Sequence, residues 1–171
     1  MDADTGALYL TEALRVLRQY KALADRAMGQ VDQHAIFQPP DPDSNCIAVI
    51  VKHMAGNMRS RWTDLLTSDG EKPDRNRDAE FEIDPGTTAA DVERWWEDGW
   101  RRTFAAIEAL APEDLPREVR ISGQPLTVLE AISRQVGHYA YHVGQIVLLA
   151  KHARGPAWQT LSDPKRMPAR P

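Results

Sequence analysis

Apolar residues along the chain recur mostly at helical spacing, and convincing strand alternation is scarce. Leu10, Ala13, Leu14, Leu17, Lys21, Ala24 and Met28 fall on one helical stripe with a single long polar intruder. The pattern fades near Gly29, and Pro39-Pro40-Asp41-Pro42-Asp43 reads as a loop. A second helix is expected to take Asp43 or Ser44 as its cap and to run to about Leu66. Its inward stripe is Cys46, Val49, Ile50, His53, Asn57, Ser60 and Asp64. A third starts at Thr88, with Asp91 as a weak capping-box partner, and ends before Pro112. Its stripe is Val92, Trp96, Trp100, Thr103, Ile107 and Leu110. The fourth starts at Thr127, where Glu130 completes a capping box, and runs to about His152 before Gly155 and Pro156. Pro116 to Pro125 has room for a short hairpin around Ser122-Gly123.

The connections add topology. The polar stretch from Thr67 to Thr87 is long for helices joined by a tight turn, and long enough to cross a helix of about 30 Å at about 3.3 Å per residue. An all-α four-helix bundle is therefore expected, with a long crossover between helices 2 and 3 and those two helices roughly parallel. The chain reads as one domain over 1–171, with 156–171 an irregular, proline-rich tail.

Composition narrows the classes. At 171 residues the chain can bury a core without disulfides or a structural metal, and 42% hydrophobic with 27% charged residues is an ordinary globular balance. The longest apolar runs, Cys46 to Val51 and Ile146 to Ala150, are too short to cross a bilayer, so no membrane association is expected. The acidic start without an apolar signal region argues against export. A single cysteine, Cys46, excludes an internal disulfide and a cysteine-rich zinc site, and suits a reducing cytoplasm. A net charge of −4 gives no bulk signal for nucleic acid. Arg59, Arg61, Arg101 and Arg102 read as solvated, with one of them able to bind an anionic substrate at a pocket mouth, and the tryptophans at 95, 96 and 100 as core and rim packing.

Candidate chemistry lies on helices 2 and 4. On a helical wheel, Ala131, Gln135, His142, Gln145 and Leu149 fall within about 60° of His138, so the face expected to look into the bundle carries four polar residues. Buried polar groups are costly unless paired, and such a stripe asks for a reason. His138 and His142 are four apart, about 6 Å at Cβ, and can share one metal ion as the two histidines of HExxH motifs do. Tyr139 stands where that motif needs Glu, so a zincin protease is excluded. His53 is the other histidine on an inferred inner face and the natural third ligand; Cys46 and Asp64 lie about 10 and 16 Å from it along the helix. Asn57, Gln135 and Gln145 fit roles orienting the ligand imidazoles. The plainer alternative is a set of core histidines satisfied by glutamines or backbone carbonyls.

Three segments carry a resemblance to a known family: Ser44-Asn45-Cys46-Ile47-Ala48-Val49-Ile50-Val51-Lys52-His53-Met54, His138-Tyr139-Ala140-Tyr141-His142-Val143-Gly144-Gln145-Ile146, and Trp158-Gln159-Thr160-Leu161-Ser162. With the helix order and crossover they make the chain resemble the DinB-like (YfiT-like) superfamily, in particular a branch of unknown function. The resemblance implies an up-down-down-up bundle with a divalent metal held by His53, His138 and His142 in an open cleft. It also implies a homodimer, and it brings in thiol transferases using a small cellular thiol, besides hydrolases and isomerases.

Three neutral imidazoles leave the charge of a divalent metal uncompensated and a coordination position open, as catalytic sites do. Zinc is the first choice, with nickel, iron or manganese also suited to imidazole. The expected function is a metal-dependent enzyme, a transferase or hydrolase, that activates a low-molecular-weight thiol cosubstrate or water against a small-molecule substrate. No residue is assigned as general acid or base. The competing expectation is a non-catalytic, stress-related bundle that sequesters a metal or ligand.

Overall fold

The computed structural model describes residues 2–162, so residues 163–171 of the expected tail lie outside the described residues. Four long helices dominate: α1 (Ala3–Met28), α2 (Ile47–Trp62), α3 (Ala89–Glu108) and α4 (Val128–Arg154). A small antiparallel hairpin, β1 (Glu118–Ile121) and β2 (Gln124–Thr127), joins α3 to α4 where the sequence left room for one, so the fold is mostly helical with a tiny two-stranded sheet. Its two-residue turn is Ser122-Gly123, both with positive φ (53° and 74°), the conformation that matches the twist of paired strands.

The helix starts follow from local chemistry. Thr88 with Asp91, and Thr127 with Glu130, form complete capping boxes that satisfy otherwise orphaned N–H groups. Asp2 caps α1 by accepting from Thr5 N. α2 departs from expectation: Cys46 is its N-cap and gives no side-chain bond, while Ser44 Oγ donates instead to Asp41 Oδ2 (2.7 Å) within the preceding loop. The helix also stops at Trp62, where Thr63 turns to extended backbone. Asp64, expected on the inward stripe, lies past that end, exposed and with φ 50°.

α1 packs chiefly on α4, and α2 on α3. Tyr9 Oη donates to Leu129 O (3.0 Å) and Gln30 Nε2 to Gln159 O (2.9 Å), tying α1 to α4 near both ends. Trp96 Nε1 donates to Asp25 Oδ1 (2.7 Å) and Arg18 pairs with Glu108 (2.5 Å), joining α1 to α3. α2 is the central helix, with 12 of its 16 residues buried, which accounts for the continuous apolar run at its start. Leu17, Met54, Met58, Trp100, Ile107, Ile132, Tyr139 and Ile146 are almost fully buried and centre the core. Burying an aliphatic or aromatic side chain of this kind stabilises by about 1.5–3 kcal/mol.

The segment between α2 and α3 is laid back along α2. Ser60 Oγ, fully buried, donates to Gly70 O (2.8 Å) and accepts from Lys72 N (3.0 Å), and Lys72 Nζ bonds Asp69 O. Arg61, expected to be solvated, is buried here, donating to Gly70 O and to Glu71 Oε2 (2.9 Å). The start of the crossover is also latched to the hairpin: the Asp69 carboxylate accepts from Ser122 N (2.8 Å) and Gly123 N (2.7 Å), and Gly70 N donates to Arg120 O (2.7 Å). No helix of the described residues is long and apolar enough to cross a membrane.

On α4 the core face is centred on Tyr139, with Ile132, Val143, Ile146 and Ala150, one residue's turn from the face expected. The histidine stripe therefore runs along the rim, where Gln145 is exposed and His138 half-buried. The reason is energetic. A polar stripe costs less beside a water-filled cleft than in the bundle centre. Tyr139 tolerates full burial because its hydroxyl accepts from Trp62 Nε1 (2.9 Å) and donates to Asn57 Oδ1 (3.2 Å).

Candidate metal centre

His53 projects from the middle of α2, and His138 and His142 from adjacent turns of α4, so packing those helices brings three imidazoles together. The His138 Nε2 atom lies 3.4 Å from His53 Nε2 and 3.2 Å from His142 Nε2. One ring nitrogen from each histidine falls in a group whose members all lie within 4.8 Å of one another, a set able to hold a metal ion. A tetrahedral zinc with bonds of about 2.0–2.1 Å requires donor nitrogens about 3.3–3.4 Å apart. The two separations measured from His138 are close to that requirement.

The protonation of the rings points the same way. His53 Nδ1 lies 2.9 Å from Glu80 Oε2, and a carboxylate can only accept, so Nδ1 carries a proton and Nε2 is the lone pair of the neutral ring that binds metal. His142 Nδ1 likewise donates to Gln145 Oε1 (2.8 Å). Two bare nitrogens are thus aimed at a third ring. Burial holds His138 down to about 3, with His142, His53, Arg61 and Arg75 adding to the effect. Burial also lowers His142 to about 4, opposed by its bond to Gln145 and assisted by His53. Both rings are neutral at physiological pH, the form that binds metal.

Glu80 was not legible as a site residue. It lies in the 3-10 turn Asp78–Phe81 of the crossover, buried against α2. Burial by itself would raise its pKa, but the bonds from Arg75 (2.7 and 2.8 Å) and from His53 outweigh this and hold the carboxyl below its ordinary value. Arg75 is itself almost fully covered and also reaches Glu71 (3.3 Å). The approach depends on Gly56, where a Cβ would come within 2.6 Å of Glu80 Cδ. Phe81 stacks on the His53 ring, 4.8 Å between centroids. The length of the crossover speaks to topology alone, and nothing in its spacing singles out these positions.

The three residues expected to orient the ligands divide. Gln145 touches His142, as described. Asn57 bonds Tyr139 rather than a histidine. Gln135 is buried in the cleft wall, and its Oε1 has no partner among the described residues. The Nδ1 of His138 is also buried without a partner there.

The histidines line a cleft of about 880 Å³ together with Asn57, Gln135, Phe81 and Tyr141. This is volume enough for a small organic molecule. Such a set of three imidazoles, open on one side, suits an ion that retains a free coordination position.

The model of the family described as "Protein of unknown function (DUF1572)" matches residues 4–167. No curated protein matches the chain.

Proposed function

The chain belongs to that family of unknown function, and we propose from its own geometry that it is a metal-dependent enzyme of transferase or hydrolase type. His53, His138 and His142 hold a divalent ion, zinc by first choice. The observation that carries the reading is the convergence of the three Nε2 atoms at 3.2 and 3.4 Å, on rings whose tautomers are set by Glu80 and Gln145. The ion supplies Lewis acidity, lowering the pKa of a small thiol or water bound to it toward neutrality. The residues do the rest. Glu80 fixes the orientation of His53, Gln145 does the same for His142, and Phe81 closes one side of the His53 ring against water.

Helix directions support membership of the DinB-like superfamily. Residues 9 and 30 meet 129 and 159, so α1 and α4 run together. The contacts of 18 with 108 and 25 with 96 oppose α1 and α3, while Lys52 over Trp95 and Met58 against Gly99 set α2 along α3. That is an up-down-down-up order. On the same reading the chain is one cytoplasmic domain, its lone Cys46 buried and reduced, acting on a small molecule rather than on nucleic acid or membrane. A homodimer is supported by the outer face of α4, where Leu148 is 67% exposed beside open Gly144.

The test is elemental analysis of protein purified without chelator and offered zinc, followed by a panel of thiols with electrophiles and of hydrolysable esters and amides. One zinc per chain, lost in His138→Ala together with turnover, is the expected result. Retention of no metal overturns the reading. Stoichiometric zinc without turnover of any panel member favours a sequestering protein instead.

A further inference from the structure

The cleft beside the histidines is strongly cationic, although the chain as a whole carries a net charge of −4. Four arginines line it, against the one carboxylate of Glu71. Arg61 and Arg75 are accounted for: both pair with Glu71, and Arg75 also with Glu80. Arg77 and Arg134 are not. Arg77, on the crossover, lies over the Phe81 ring at 5.6 Å, and Arg134 projects from α4; neither pairs with a carboxylate among the described residues. The two approach the same cleft from different elements, so their guanidinium groups are a feature of the folded chain rather than of one helix face.

Tyr141 connects this pair to the histidines. Its ring packs against His138 (5.1 Å between centroids) and His142 (4.4 Å), and it feels both arginines. The mouth of the cleft thus offers donors and positive charge. Deeper in, the unpartnered Gln135 Oε1 is an acceptor waiting for an N–H or O–H. A guanidinium binds carboxylate and phosphate oxygens in pairs, and a low-dielectric cleft of one sign focuses its field on ligands of the other.

We propose that the substrate of this site is a small molecule bearing a carboxylate or phosphate group, which Arg77 and Arg134 clamp at the cleft mouth while the rest of the molecule reaches the three histidines. This rests on the reading of those histidines as ligands of a metal. It adds a substrate class and two binding residues. Both guanidinium groups are exposed and screened by water, so losing both is expected to weaken binding of the anion by about 10- to 100-fold.

The experiment uses the full chain loaded with zinc, titrated calorimetrically with malonate and with inorganic phosphate, and with malonamide as the uncharged control. The same titrations are run on R77Q/R134Q, with zinc per chain and helical circular dichroism measured on every sample. Both arginines are exposed, so the variant is expected to fold and to keep its zinc. The expected result is saturable binding of at least one anion, none of malonamide, and a loss of affinity of at least about tenfold in the double variant. Equal affinity in both proteins, or no binding to the wild type, overturns the proposal. The metal reading fails separately. Protein without zinc whose anion binding still depends on the two arginines keeps the clamp and loses the metal, and zinc-loaded protein indifferent to them does the reverse.

Discussion

The two sides of the histidine cluster are supported by opposite means. On the α2 side, His53 is buried and bonded to a carboxylate that is itself held by a covered arginine, so an ionic chain runs His53–Glu80–Arg75–Glu71. On the α4 side, His142 leans on a neutral, exposed glutamine, and His138 Nδ1 has no partner among the described residues. The first arrangement is stiff and depends on every member, because a buried charge left alone is far costlier than the pair. The second is loose and tolerant. One ligand is therefore preset by the fold, while the other two can adjust around what enters the cleft.

The strongest way to break this contrast is Glu80→Ala. It leaves Arg75 buried with only Glu71, and should cost about 3–5 kcal/mol in urea unfolding. Metal affinity should fall about 10- to 100-fold, read by competition with a chelator. Glu80→Gln keeps an acceptor for His53 and should lose less on both measures. Next comes Gly56→Ala, which touches no histidine. Its new methyl collides with Glu80, so a loss of about 1–3 kcal/mol is expected, with a parallel weakening of metal binding that a packing defect remote from His53 would not produce.

Acid should separate the sides in the metal-free chain. His138 and His142 titrate at about 3 and about 4 when folded and near 6.5 when unfolded, so between those values the unfolded chain holds more protons. The stability they contribute is complete above about pH 6.5 and is lost as the pH falls through 6.5 toward 4 for His142 and toward 3 for His138. The Glu80 carboxyl is held below its ordinary 4.5, so its contribution is lost only at lower pH. Thermal melts from pH 7 to 3 should show an early loss, removed by His138→Ala with His142→Ala, and a later one removed by Glu80→Gln. The smallest effect belongs to Gln145→Ala: at most about 1 kcal/mol in stability and about tenfold in metal affinity. Losses equal to those of Glu80→Ala would erase the contrast between the two sides.

The same contrast describes what the sequence reveals. Thr88 with Asp91 and Thr127 with Glu130 announce the starts of α3 and α4, because a capping box is a local bond between residues three apart. His138 and His142 are legible for a similar reason, being four apart on one helix, and His53 by its place on the inward stripe just below the apolar turn Val49-Ile50. Glu80 is not, because its partners lie 27 residues away on His53 and in an aperiodic loop. The α4 core face is misread for another reason. Tyr139 carries a hydroxyl and reads as a flank, and only the distant Trp62 and Asn57 make it a core residue. The buried Arg61 belongs to the same class, its partners being supplied by the returning crossover.

The bonds from the Asp69 carboxylate to the Ser122-Gly123 turn have a consequence for how the chain can be rearranged. They staple together two stretches more than fifty residues apart, one feeding the loop that bears Glu80 and the other leading straight into α4. A circular permutant or protease nick opened at that turn would leave every helix intact, yet free the staple. Its expected signature is a native far-ultraviolet spectrum with faster amide exchange from Asp69 to Phe81.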